Sequence, residues 1–175
     1  MSDELDEAEL AEAIELEQAG QLGAAVDVYQ RLLTRNPRHA VAQYNLGVVR
    51  FGLRDLPGAI AAFTAAIAVD PRDAGSYYNR GVCHRALGDA AGNYRVDGGA
   101  MVAIGGDGLA HFARAIDDYS AAIAIDEQPH YLVNRAVARQ KLGDDAAAIA
   151  DLRRAIALGD PRAPRALKGL FGLDA

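Results

Sequence analysis

Residues 56–67 read LPGAIAAFTAAI, with Ala59 four places before the ring of Phe63 and Ala66 three places after it. Three other stretches have the same form: LGAAVDVYQRLL (22–33), FARAIDDYSAAI (112–123) and DAAAIADLRRAI (145–156). Their small anchors Ala25, Ala59, Ala115 and Ala148 precede Tyr29, Phe63, Tyr119 and Leu152. Positions i, i+4 and i+7 share one face of a helix, so each stretch predicts a helix with one packed stripe. The anchors recur at 34, 56 and 33 residues, and the middle spacing is one normal period plus 22. A period of this length belongs to stacked supersecondary units, each covering the apolar face of the next.

Each unit has a first helix ahead of the stretch just quoted. These read AVAQYNLGVVRFGL (40–53), AGSYYNRGVCHRAL (74–87) and HYLVNRAVARQKLG (130–143). The turn between the two helices falls at Gly20, Gly88 and Gly143, where a left-handed residue ends a helix cheaply, and at Arg54 in the second unit. Units close at Asn36-Pro37, Asp70-Pro71, Asp126-Glu127 and Asp160-Pro161. Proline cannot extend the helix before it but can open the next.

These features resemble the tetratricopeptide repeat family over nearly the whole chain. The pair of the first helix is filled by Leu46-Gly47, Arg80-Gly81 and Arg135-Ala136, and less typically by Glu12-Ala13 in the first unit. The resemblance implies an all-α fold, a right-handed superhelical stack of antiparallel helix pairs. Four repeats are expected at about 6–39, 40–73, 74–128 and 129–161, so the solenoid spans 1–161, with an insertion at 90–111. The end, RAPRALKGLFGLDA (162–175), predicts a short capping helix in which Leu167, Leu170 and Phe171 cover the last unit.

Composition bounds the function. A length of 175 residues with 51% hydrophobic content suits one folded domain. The net charge of −6 gives no basic footprint for nucleic acid. Residues 1–17 hold eight acids and no base. They read as N-terminal helix charges that oppose the macrodipole and keep the stack end soluble, or as an acidic docking tail. Cys83 is the only cysteine and falls at a packed position, so an inert buried thiol is expected. A charged-then-apolar leader and a run of about 18 apolar residues are both missing, which predicts a soluble, cytoplasmic protein that does not enter membranes.

In helix-pair stacks of this family the first helices line the inner surface. That register places Tyr44, Tyr78 and Val133 in one row and Asn45, Asn79 and Asn134 in the next. Val48, Val82 and Val137 follow, then Phe51, Arg85 and Gln140, with Lys141 beside them. An amide offers donor and acceptor in one plane, matching a peptide backbone. An asparagine ladder flanked by Tyr and Val predicts capture of an extended peptide or partner helix with apolar side chains. The other reading has the asparagines bonding neighbouring helices. The carboxylate clamp of chaperone adaptors does not carry over. Where it needs Lys and Asn the first unit has Leu10 and Ile14, where it needs two cations the third has Gly75 and Asn79, and only Asn45 matches.

The insertion, AAGNYRVDGGAMVAIGGDGLAH (90–111), holds six glycines and is a poor helix. Tyr, Val and Ile around Asp-Gly-Gly read as a small β-hairpin or as a loop. Tyr94, Met101 and Ile104 are its candidate partner contacts. GGDG lacks the Lys-Ser or Lys-Thr of a phosphate loop. His39, His84, His111 and His130 show no metal-ligand spacing, and His84 reads as a packing residue. No nucleophile elbow occurs. The expectation is a bacterial-type scaffold or adaptor that is no enzyme, with no metal or cofactor, binding another protein or peptide as a monomer or weak homo-oligomer. The alternatives are a structural subunit of a self-associating or larger assembly and an accessory domain of a partner enzyme.

Overall fold

The computed structural model describes residues 2–91, 94–97, 100–103 and 107–175. Among these the elements are nine helices and one strand pair. In order they are α1 (Ser2–Gln18), α2 (Leu22–Arg35), α3 (Ala40–Gly52), α4 (Leu56–Val69), α5 (Ala74–Ala90), β1 (Tyr94–Asp97), β2 (Ala100–Ala103), α6 (Asp107–Ile125), α7 (Pro129–Lys141), α8 (Asp145–Ala157) and α9 (Ala163–Phe171). The fold is all-α, as the repeat pattern predicts. The chain divides into two compact units, Met1–Cys83 and His84–Ala175, and the division falls inside α5.

In the first unit, α1 packs on α2, α2 on α3 and α3 on α4. Ala25, Tyr29 and Leu32 of α2 are fully buried with Ala13 of α1 and Ala42 of α3. Phe63 of α4 is buried with Ala59 and Cys83, and Tyr44, Val48 and Phe51 of α3 lean on that cluster. Gly47 is needed for this approach. A Cβ there would stand 2.7 Å from the ring of Phe63.

The turns follow one hydrogen-bond scheme. Gly20 and Gly143 have φ of 74° and 81°, and Arg54 has φ of 64° in the equivalent place. The residue after each donates to a carbonyl five back: Gln21 to Leu16, Asp55 to Arg50 and Asp144 to Arg139. Asp55 and Asp144 then cap the next helix, accepting from the amides of Gly58 and Ala147.

Gly88 departs from the expected turn. It is buried inside α5, which runs on to Ala90, and α6 begins at Asp107 rather than after His111. Both ends of the expected insertion are therefore helical. Gly88 is wanted for proximity: a Cβ on it would lie 3.0 Å from Phe112, and one on Gly108 would lie 3.2 Å from the Ala91 Cβ. Between the helices, β1 and β2 pair antiparallel, Tyr94 with Ala103 and Asp97 with Ala100, and β2 runs beside α7. This is the hairpin among the two readings of the insertion. In the second unit α7 packs between α6 and α8, and α9 on α8. Ala163 and Leu167 of α9 are fully buried with Ala148, Leu152 and Ala155.

The acidic start has a use that neither sequence reading included. Asp6 and Glu9 are buried on α1 and both meet Arg35 of α2. Arg31 reaches Glu9 at 2.8 Å and Glu12 at 3.0 Å, and the Asn36 amide donates to Asp6 at 2.9 Å. The Asn36 and Arg35 hydrogen bonds hold the Asp6 carboxyl below its usual range. Arg35, and then Arg31, do the same for Glu9.

Three outcomes follow from this packing. A left-handed non-glycine residue costs about 1–2 kcal/mol, partly offset by the entropy of a glycine in the unfolded chain, so Arg54→Gly should stabilise by about 0.5–1 kcal/mol in denaturant melts. Gly47→Ala should destabilise by about 1–3 kcal/mol through overpacking against Phe63, read in the same assay. Carboxyls lowered on folding stabilise above their unfolded values, ordinarily 3.8 for Asp and 4.5 for Glu, and that contribution is lost as pH falls through the folded values. Protection of the α1 amides, relative to exchange of an unstructured chain at the same pH, should thus be high at neutral pH and fall below about pH 4. The double variant Asp6→Asn, Glu9→Gln should show low protection already at neutral pH.

Candidate functional site

The first unit carries a face built on α3. Val41, Tyr44, Val48 and Phe51 lie three, four and three residues apart, which puts them on one stripe. Val41 is 51% exposed, high for a large aliphatic side chain. The Tyr44 ring meets Phe63 edge-on, with centroids 5.8 Å apart at 65°. Asn79 of α5 donates through Nδ2 to the Tyr44 hydroxyl at 2.9 Å. Gly75 leaves room for that ring, since a Cβ there would already touch it at 3.4 Å. Tyr44 is thus pinned at edge and tip.

Two hollows flank it. The larger, about 270 Å³, is lined by Ala40, Val41, Tyr44, Ala66, Asp70 and Asp73. The smaller, about 50 Å³, is lined by Val48, Phe51, Phe63, Asn79 and Val82. The walls are apolar, with two carboxylates in the larger hollow. Asp73 caps α5, accepting from the amides of Gly75 and Ser76, and Asp70 accepts from the amide of Arg72.

The three asparagines do not form equivalent rungs. Asn45 bonds the hydroxyl of Tyr29, a buried phenol that also donates to Glu17 at 3.3 Å. Burial, then the charge of Glu17, push that phenol up to about 12. Asn79 holds Tyr44, and Asn134 donates to the His130 carbonyl one turn back on its own helix at 2.8 Å. Two of the three therefore tie tyrosines of the first unit.

In the second unit, Val133 is buried in the α7–α8–α9 core rather than displayed. Gln140 is also buried, whereas Asn134, Val137 and Lys141 are half-buried. Arg85 pairs with Asp89 on α5 at 2.9 Å. Tyr78 and Val82 are half-buried on α5. Arg135 of the first-helix pair makes two bonds to Asp151, at 2.9 and 2.7 Å, and a third to Ser120 at 3.0 Å. Of the insertion residues, Tyr94 lies on β1 and Met101 on β2, whereas Ile104 lies outside the described residues. Val41 and Phe63 were missed among the site residues. Val41 was legible as the residue three before Tyr44 on the same stripe. Phe63, a core anchor in the sequence, is buried and also lines the smaller hollow.

The comparisons agree with the repeat. The sequence profile of the tetratricopeptide repeat matches residues 10–63, 49–93 and 129–158. No curated protein matches the chain in sequence. A crystal structure of MamA superposes with a TM-score of 0.75 at 16% identity, covering 91% of this chain and 82% of that one. A thermophilic tetratricopeptide-repeat protein of Thermus thermophilus superposes at 0.67 with 24% identity, over 95% and 81%. MamA from Desulfovibrio magneticus RS-1, from residue 41 to its end, gives 0.69 with 21% identity, over 87% and 75%. At these identities the likeness is one of fold.

Proposed function

Since the chain belongs to the tetratricopeptide repeat family, whose members serve as protein–protein interaction scaffolds, we propose that it holds a peptide segment of another protein on the α3 face of its first unit. The observation that carries this reading is the apolar stripe of exposed Val41 and half-buried Tyr44, Val48 and Phe51 between two hollows. A bound segment places one apolar side chain in the hollow of about 270 Å³. It sets a basic residue beside Asp70 and Asp73, because their negative charge favours a cation at the rim. Tyr44 is the anchor. It is rigid, amphipathic and held before the ligand arrives, so little conformational entropy is lost on contact. Asn45 and Asn79 act here by fixing tyrosines, and Asn79 retains amide capacity for a peptide carbonyl.

The protein works as a non-catalytic adaptor, α9 closes the open side of the second unit, and the β1–β2 strand pair adds a contact for the partner. Among the described residues no helix is long and apolar enough to cross a membrane.

The test is selection of peptides from a random display library, followed by affinity measurement on purified variants. Selected peptides should share an apolar residue next to Lys or Arg. Val41→Asp and Tyr44→Ala should each weaken them by about tenfold or more, the size of an interface anchor of ~1.4 kcal/mol or above. Asn79→Ala should weaken them less, by about the worth of one hydrogen bond, ~0.5–1.5 kcal/mol. Selected peptides that bind all three variants as well as the parent would place the site elsewhere.

A further inference from the structure

The two histidines that flank the hairpin come together in the second unit. His84 lies in the C-terminal half of α5 and is 9% exposed, and His111 lies in the first turns of α6 and is half-buried. Their Nδ1 atoms are 3.1 Å apart and the ring centroids 5.4 Å apart, with the planes inclined by 31°. Two neutral imidazoles at that distance hold one proton between the facing nitrogens, one ring donating and the other accepting.

The same spacing suits a metal ion. Imidazole nitrogens bind Zn²⁺ at about 2.0–2.1 Å, so two of them on one ion stand about 2.9–3.4 Å apart for angles between a right angle and a tetrahedral one. The helices that carry the pair are held close by packing of their own, since Gly88 of α5 lies against Phe112 of α6 and Gly108 of α6 against Ala91. The nitrogens are therefore near their final separation before an ion arrives. Their lone pairs need only tilt from facing each other to converging on one point.

We propose that His84 and His111 form a two-nitrogen chelate for a divalent late transition metal, Zn²⁺ or Cu²⁺, with water in the other positions. Imidazole ligands favour these ions, and Cu²⁺ stands highest in the divalent series. The proton balance is simple. In the neutral pair, the donor ring moves its Nδ1 proton to Nε2, so both Nδ1 lone pairs face the ion and no net proton is released. A metal-binding nitrogen must be unprotonated, so affinity falls with acid. Among the described residues no cluster of three or more metal-binding side chains forms, so this is an open chelate rather than a closed structural site. The bound ion clasps α5 to α6 at the root of the hairpin.

The test titrates the full chain with CuCl₂ and with ZnCl₂ in a non-coordinating buffer at neutral pH. Its readouts are the melting temperature and, for Cu²⁺, the nitrogen hyperfine pattern in electron paramagnetic resonance. Expected are one ion per chain, two imidazole nitrogens in the spectrum and a rise in melting temperature of a few degrees at saturation. His84→Gln and His111→Gln should each abolish the two-nitrogen spectrum, whereas the double variant His39→Gln, His130→Gln should keep it. Lowering the pH to about 5 should weaken binding by about tenfold or more. If a Gln variant fails to fold, the His39→Gln, His130→Gln protein still decides, because fewer than two nitrogens in its spectrum overturns the site. A parent protein unmoved by either ion, or two nitrogens persisting in both single variants, shows that the pair is a hydrogen bond and nothing more.

Discussion

The close approach of a small residue to a large ring, one helix to the next, is what this architecture rests on. Between Gly47 and Phe63 there is no space for even a methyl group. Ala13 lies in one core with Tyr29, and Ala136 in one with Leu152, each pair fully buried. A helix pair brought this close excludes water along its seam, and dispersion and apolar burial then act over the full length of both helices. Without the small partner the ring would have to leave its place, and the neighbouring stripe would lose its support.

The face on α3 depends on that seam. Phe63 fills the gap beside Gly47 from one side and offers its edge to Tyr44 on the other. Tyr44 is then tied by Asn79 from α5. One aromatic residue thus serves the core and the outer face together. This is why a change in the helix seam reaches the candidate site.

Polar groups at helix seams add selectivity to the packing. Arg31 and Arg35 of α2 meet the acids of α1, and Arg135 of α7 meets Asp151 of α8. Half-buried ion pairs of this kind contribute little net energy when complete, but an unmatched partner is costly. They favour this pairing of helices over a slipped one. The charge-rich first helix, which composition alone presents as a solubilising helix start or as a docking tail, is for this reason an integral layer of the first unit.

The repeat, the helix pairs and the turns at Gly20, Arg54 and Gly143 were legible in the sequence, since they rest on local spacing: a period of 34, a face repeated every three or four residues, a residue that ends a helix. The strand pair was half legible, because alternation and an Asp-Gly-Gly core are local too, but the loop stayed open beside the hairpin until β2 had α7 beside it. Gly88 was misread on local grounds. It has the composition of a turn, and only the position of Phe112 on the opposing helix makes it a contact residue instead. The destinations of Asn45 and Asn79 were likewise out of reach, because side-chain partners across a seam depend on the angle between helices, and one register fits several hydrogen-bond patterns. The meeting of His84 and His111, 27 residues apart, is the extreme case. No spacing rule joins two residues across an insertion. Their contact exists because α5 and α6 fold back on one another around paired glycines, and that is a property of the assembled helices alone.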